Sequence, residues 1–151
     1  MASERFLIRA AVYLILLKGN KILLARRFNT GWMDGKYSLV AGHLDGNESV
    51  SQSMIREAKE EAGIIIKKND LIPATVIHRM YPNQEYIDFF FVVKKWIGNP
   101  IIMEPDKCDD MSWFSLDNLP KNLLPYIKEA IENYQSRTPF FESGWDQEAL
   151  E

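Results

Sequence analysis

The stretch that decides the fold runs from residue 42 to residue 64 and reads GHLDGNESVSQSMIREAKEEAGI. From Ser49 to Ala62 it contains no glycine or proline, and Gly63 is a typical helix terminator. The apolar residues of this segment fall on one side of a helical wheel; they are Val50, Met54, Ile55, Ala58 and Ala62. The stretch therefore predicts a loop, an amphipathic helix packed on other structure, and a second loop.

The polar side of this helix carries a cluster of glutamates. Glu57, Glu60 and Glu61 stand at positions i, i+3 and i+4, so their carboxylates project from one face within a single turn. Like charges at this spacing repel by a few tenths of a kcal/mol per pair. An acidic run alone is usually a solvated face. A hard divalent cation such as Mg²⁺ is the alternative, because it prefers a few carboxylate oxygens together with water and phosphate.

Residues before and within the helix fit a metal site. Glu48, near the start of the helix, can support the helix dipole or reach the cluster. Gly42 and Gly46 let the loop backbone approach, with a carbonyl oxygen as a further ligand. Arg56 adjoins the carboxylates and can orient them by a bidentate pair.

The spacing of these residues resembles the Nudix box. Gly42 is followed by five residues and Glu48, then by seven residues and the run from Arg56 to Ile64. Each fixed position of the box is matched, with Ala58 at the apolar position as a mild departure. Residues 5–135 follow the family in strand order and terminal helix. The resemblance implies an α+β fold, an α/β/α sandwich around a mixed sheet, with the box as loop-helix-loop and a C-terminal amphipathic helix.

The resemblance also implies a chemistry. It assigns Glu57, Glu60 and Glu61 to binding Mg²⁺, with Mn²⁺ as the alternative, assisted by the Gly42 carbonyl and Glu48. With Arg56, the three helix glutamates form the predicted catalytic set. The reaction is substitution by water at a phosphorus of a diphosphate linkage. The general base varies in the family between a box glutamate and an acidic residue elsewhere, and it is not assigned here.

The rest of the sequence supplies strands and one more helix. Gly19-Asn20 separates two apolar runs and predicts a hairpin. The predicted strands are Phe6–Leu17, Lys21–Ala25, Tyr37–Val40, Leu71–Tyr81, Glu85–Trp96 and Met111–Ser115. An apolar spacing of three and four predicts the second helix, over Lys121–Tyr134. The tail, residues 136–151, holds Phe140, Phe141 and Trp145, for which docking on the domain itself is the simplest interpretation.

Composition bounds the class of protein. The 151 residues fit one domain, and 46% hydrophobic with 26% charged residues is typical of a globular chain. No signal peptide or membrane span is recognisable, and Cys108 is the only cysteine, so a cytoplasmic location without disulfides is expected. The formal net charge of −3 argues against a nucleic-acid polymer as partner. The expected partner is a small nucleotide, with no membrane contact, and a homodimer is left open.

Five residues outside the box are candidates for binding the substrate. Arg26 and Arg27 either reach a phosphate or are ordinary surface arginines. Trp32 can stack on a base, although a loop anchor is the favoured interpretation. Asp88 lies in an apolar run, so it faces the cleft or a partner, and Glu104 is a candidate base-reading or catalytic acid.

Three functions remain at this stage. The favoured one is a pyrophosphohydrolase of nucleoside triphosphates resembling MutT, which releases a nucleoside monophosphate and pyrophosphate. The second is a hydrolase of nucleoside diphosphates linked to another group: ADP-ribose, a nucleoside diphosphate sugar or a dinucleoside polyphosphate. The third, ranked below both because Glu48 and the helix glutamates are retained, is a nucleotide sensor that does not cut.

Overall fold

A computed structural model describes residues 4–81 and 83–146 as a mixed eight-stranded sheet with a helix on each face. The strands are β1 (Arg9–Lys18), β2 (Lys21–Arg27), β3 (Tyr37–Ser38), β4 (Val40–His43), β5 (Ile72–Met80), β6 (Glu85–Val93), β7 (Cys108–Ser115) and β8 (Phe140–Ser143). The helices are α1 (Val50–Ala62) and α2 (Pro125–Ser136). β1 runs parallel to β6, and β5 runs parallel to β8, while the other pairs are antiparallel.

The central strand β1 has different partners along one of its edges. Its first half pairs with β4 from Ala11 to Leu14, whereas its end pairs with β2 at Leu17 and Lys18. Its other edge pairs with β6 along almost its whole length. The sheet therefore parts between β2 and β4, and this opening lies beside the strand that carries Gly42.

Alternation along β1 builds two hydrophobic cores. Tyr13 and Ile15 face one core, which also holds Ile127 and Ile131 of α2. The intervening Leu14 and Leu16 face the other core, together with Met54 and Ala58 of α1. The two helices consequently cover opposite faces, and the predicted α/β/α sandwich is confirmed.

Helix α1 is defined by local signals at both ends. The hydroxyl of Ser49 accepts a hydrogen bond from the backbone N–H of Gln52 at 3.1 Å, and the Gln52 side chain accepts from Ser49 N–H at 2.8 Å. Gly63 ends the helix with φ 68°, a left-handed conformation that glycine adopts without strain. The helix predicted from Ser49 to Ala62 is confirmed.

Several predicted boundaries differ from the structure. Helix α2 begins at Pro125 rather than Lys121, because proline lacks an N–H and favours the first turn of a helix. Phe6 and Leu7 precede β1 and are 71% and 88% exposed. Strand β6 ends at Val93 instead of Trp96, and β7 begins three residues before Met111.

The tail docks on its own domain within the described residues. Phe140 and Phe141 belong to β8, which pairs with Val76 and Ile77 of β5. The indole N–H of Trp145 donates to the carbonyl of His78 at 3.0 Å. Among residues 4–81 and 83–146, no helix has the length and apolarity needed to traverse a bilayer.

A buried ion pair ties β5 to β6. Arg79 donates to both carboxylate oxygens of Asp88, at 2.6 and 3.3 Å, and the two side chains are 4% and 0% exposed. The guanidinium also lies over the rings of Tyr86 and Tyr126, at 4.3 and 4.2 Å from their centroids. The buried Arg79 guanidinium therefore connects the sheet to α2.

We predict that Arg79→Met destabilises the protein by about 3–5 kcal/mol, because it leaves the Asp88 carboxylate buried without its cation. Urea unfolding at neutral pH measures the loss. The double variant Arg79→Met/Asp88→Asn is the control, since it removes both charges and should regain much of the stability. A single variant within about 1 kcal/mol of wild type would contradict this account of the pair.

Candidate active site

The box glycine and the first helix glutamate are packed against each other. Gly42 lies in β4, opposite Val12 of β1, and helix α1 packs over β4. A Cβ atom at position 42 would overlap the side chain of Glu57. The glycine is therefore required so that the Glu57 carboxylate can lie against the strand, a close approach that only a missing side chain allows.

Arg56 gathers the acidic side chains around one guanidinium. It donates to both oxygens of Glu48, at 3.1 and 2.7 Å, and to Glu57 and Glu60 at 2.8 and 3.2 Å. Asp45 adds an ion pair at 3.2 Å. The hydrogen bond from Arg56 lowers the pKa of Glu48, and these partners together raise the pKa of Arg56. The orienting role predicted for Arg56 thus has direct contacts to support it.

Glu61 lies on the inner side of the cluster and lacks an ion pair among the described residues. Its carboxylate accepts a hydrogen bond from the backbone N–H of Ala41 at 3.0 Å. Burial raises the pKa of Glu61 to about 8, with further raising contributions from the nearby charges of Glu57 and Glu104. Burial also raises the pKa of Glu57, against the lowering effect of Arg56. One arginine therefore does not neutralise the whole group.

The donor set suits a hard divalent cation. Its members are carboxylates, and the Gly42 cradle brings the Glu57 carboxylate against a strand whose backbone also contacts Glu61. Within residues 4–81 and 83–146, no three acidic, histidine or cysteine side chains already converge as a metal site. Oxygens of Glu57 and Glu60 are bonded to Arg56 instead. Arg56 bonds one oxygen of each of these two carboxylates, so the second oxygen can bind an ion while the hydrogen bond from Arg56 is kept.

A pocket of about 60 Å³ opens beside Glu61, where β2 and β4 part. Three cationic side chains, two acidic ones, one serine and five apolar ones line it: Arg26, Arg27, Lys107, Glu61, Glu104, Ser38, Ala25, Leu39, Val40, Cys108 and Met111. The structure thus brings the predicted Arg26, Arg27 and Glu104 together with Glu61. Lys107 was not predicted as a ligand, since its only signal is a place in the same polar loop as Glu104.

The two arginines are held by different neighbours. Arg27 donates to the carbonyl of Trp32 at 2.7 Å and lies 4.8 Å from the centroid of the Trp32 ring. Trp32 is therefore a loop residue that positions Arg27, which agrees with the favoured interpretation of it as an anchor. Arg26 is paired with Asp109 at 2.7 Å and lies over the ring of Tyr37. Both guanidinium groups are oriented before any ligand binds.

Asp88, like Trp32, is a predicted substrate contact that does not line the pocket. It is 0% exposed and paired with Arg79, so the partner, and not the cleft, accounts for its place in an apolar run.

An aromatic residue that was not predicted lies close to the pocket: Phe28 is 44% exposed, and its N–H donates to the carbonyl of Lys107 at 3.0 Å. The sequence did not predict a role for Phe28, because a single aromatic residue after two arginines forms no distinguishing pattern.

We predict that Glu61→Gln stabilises the metal-free protein, with a gain that grows as the pH rises from about 4.5 to about 8. The folded-state pKa lies above the unfolded one, so wild type loses stability as Glu61 ionises in its buried place, whereas the amide carries no charge. The gain should be a few degrees in thermal midpoint at pH 8 with EDTA present. An equal midpoint for both proteins at every pH would contradict the burial of this charge.

Comparisons with known proteins agree with the geometry. The family model described as NUDIX domain matches residues 7–134. A curated relative from Stutzerimonas stutzeri, named NAD-capped RNA hydrolase NudC, is 30% identical over 127 residues, which is 82% of this chain and 41% of the relative. A relative of the same name from Pseudomonas aeruginosa is 29% identical, over 73% of this chain and 37% of its own length. The chain thus spans about two fifths of the curated relatives that it matches.

Solved structures share the fold. The MutT NUDIX hydrolase from Burkholderia pseudomallei superposes with a TM-score of 0.77 at 25% identity, covering 84% of this chain and 98% of that one. The MutT protein from Methanosarcina mazei Go1 has a TM-score of 0.76 at 21% identity, with 89% of this chain and 98% of that chain covered. Since the family model covers most of the sequence and includes the whole glutamate cluster, the chain belongs to the Nudix domain family.

Proposed function

We propose that this protein is a metal-dependent hydrolase that cuts the phosphoanhydride bond of a nucleoside diphosphate linked to a second group, with a dinucleotide of the NAD type as the first substrate to test. The observation that carries the proposal is the pocket that Arg26, Arg27 and Lys107 line together with the buried carboxylate of Glu61. Guanidinium and ammonium groups bind phosphate oxygens by charge-assisted hydrogen bonds. A buried carboxylate next to them can bind a divalent cation or, when ionised, accept a proton from water.

The residues divide the work of this reaction between binding and positioning. Arg26, Arg27 and Lys107 bind the diphosphate and reduce its repulsion from the glutamates. Arg56 holds Glu48, Glu57 and Glu60 in one place. Water forms a new bond to one phosphorus while the bond from that phosphorus to the bridging oxygen breaks, which leaves two terminal phosphates. The proton of the water passes to a carboxylate lining the pocket, and Glu61 and Glu104 are the two candidates.

Mg²⁺ would be held by Glu57, Glu60 and Glu61, with the Gly42 carbonyl and Glu48 assisting. When bound, it supplies positive charge for the phosphate oxygens and increases the acidity of water. The chain contributes two features around that ion: the close approach at Gly42, and the Trp32 carbonyl that orients Arg27.

The comparisons favour the linked-diphosphate function over hydrolysis of a nucleoside triphosphate. The curated relatives carry an NAD-capped substrate in their name, and NAD joins two nucleosides through a diphosphate. The MutT structures support the fold without naming a substrate. We therefore rank hydrolysis of a linked nucleoside diphosphate ahead of hydrolysis of a nucleoside triphosphate. A nucleotide sensor that does not cut is ranked last.

We predict that the protein with Mg²⁺ hydrolyses NAD and ADP-ribose with a higher kcat/KM than it hydrolyses any canonical nucleoside triphosphate. Separation of the products by chromatography identifies the bond that breaks: NAD should give AMP and nicotinamide mononucleotide. Faster turnover of a triphosphate, with pyrophosphate as product, would restore the function first inferred from the sequence. No turnover of either class would favour the sensor.

We predict that Glu60→Gln lowers the Mg²⁺-stimulated turnover rate by about a hundredfold or more, because it deletes one carboxylate ligand at nearly constant volume. Glu132→Gln, the same change at an exposed position of α2, is the control and should keep wild-type turnover. Thermal shift with Mg²⁺ gives a second readout, since the ion should raise the midpoint of wild type more than that of Glu60→Gln. Retained turnover in Glu60→Gln would contradict the metal assignment.

A further inference from the structure

A continuous stripe of side chains leads away from the pocket along β2 and β7. The two strands are antiparallel, so residues directly opposite each other share a face. On the face that carries α1, three cross-strand pairs follow in order from the pocket: Ala25 with Met111, Leu23 with Trp113, and Lys21 with Ser115. We call this set, together with Lys18 and Trp96, the β2–β7 stripe.

The middle of the stripe is aromatic. The rings of Trp113 and Trp96 stack with their centroids 5.9 Å apart and their planes 24° from parallel. Both residues are partly exposed, and α1 packs mainly over β4 and β1. The two rings close the core around Leu23, and their exposed parts offer a surface on which a flat ring can stack.

The far end of the stripe is cationic. Lys18 and Lys21 stand directly opposite each other at the end of the hairpin, and both are exposed. Like charges in this arrangement repel. No carboxylate among residues 4–81 and 83–146 lies within ion-pair distance of either lysine. The nearby Asp117 is bonded to Asn20 at 2.9 Å. An external anion would relieve the repulsion.

The spacing fits an extended chain with alternating rings and charges. Ala25 borders the pocket, and Lys21 lies four residues back along β2, so the lysine pair is about 13 Å from the pocket wall at about 3.3 Å per residue. The tryptophans lie between the two. Single-stranded nucleic acid is recognised by this combination of a stacking platform and cations that follow its phosphates.

We propose that the β2–β7 stripe binds a single-stranded RNA chain that continues from a dinucleotide whose diphosphate binds at the pocket. This inference rests on the proposed function, because the pocket must bind the diphosphate of the dinucleotide that forms the end of the RNA. Lys18 and Lys21 contact phosphates, and Trp96 and Trp113 stack with a base. The whole-chain charge of −3 excludes a protein that coats nucleic acid, yet it says nothing against a local track of a few nucleotides.

Binding without turnover tests the stripe by itself. The probe is a short single-stranded RNA with an NAD group at its 5′ end and a fluorophore at its 3′ end, followed by anisotropy in EDTA. Lys18→Gln/Lys21→Gln should bind about tenfold more weakly than wild type, and the slope of log affinity against log salt should fall by about 1.4, or about 0.7 for each lysine that no longer neutralises a phosphate. The control, Lys121→Gln/Lys128→Gln, makes the same charge change at exposed positions on the α2 side and should stay within about twofold.

Equal weakening by the two double variants would overturn the proposal, because it would reduce the effect to net charge. Absence of binding by wild type at low salt would overturn it as well. A DNA of the same sequence distinguishes backbone contacts, which it would share, from contacts to the ribose hydroxyl.

Turnover with Mg²⁺ separates this inference from the proposed function. The Lys18→Gln/Lys21→Gln variant should lose about tenfold in kcat/KM on the NAD-linked RNA relative to free NAD, mainly through KM. Equal losses on both substrates would reject the stripe and leave the proposed hydrolase standing. If neither substrate is cleaved by wild type, the proposed function fails, and the anisotropy result alone decides whether the stripe binds RNA.

Discussion

The structure depends on a balance of charge around Arg56. Five acidic residues crowd the start of the box and one helical turn, and a single guanidinium is bonded to four of them: Asp45, Glu48, Glu57 and Glu60. The fifth, Glu61, is left with one backbone hydrogen bond in a buried place. An arrangement that is incompletely neutralised favours binding of further positive charge, and the surrounding fold is built to hold that arrangement in place.

Two features of the fold keep these carboxylates together. Helix α1 is capped at its start by the Ser49 capping box and ends in a left-handed glycine, and its buried face packs on the sheet. Strand β4 brings Gly42 under Glu57 and the Ala41 N–H to Glu61. Because β1 changes partner from β4 to β2 along its length, the arginines of β2 that we propose to bind phosphate line the same opening as Glu61.

The box and its helix could be predicted from sequence because their signals are local: a spacing of three and four, a cap, and a terminal glycine. Arg26, Arg27 and Glu104 could be named as candidates, but their meeting with Glu61 depends on three separate elements. Asp88, in contrast, was predicted as a substrate contact and is instead part of a buried ion pair. Its partner Arg79 lies on the neighbouring strand, and no local pattern reveals a cross-strand ion pair. Lys107 and Phe28 could not be predicted as pocket residues for a related reason: the hydrogen bond between their backbones joins two loops that are distant in sequence.

Strand β8 has a consequence for the solution behaviour of the chain. It pairs in parallel with β5, so it covers backbone N–H and C=O groups that would otherwise form an open border of the sheet. An uncovered border of that kind is a template for strands of other molecules, and the path from such pairing leads to amyloid-like assembly. Strand β8 is now the terminal strand, but with four residues against the nine of β5 it presents a shorter edge, and short edge strands limit such pairing.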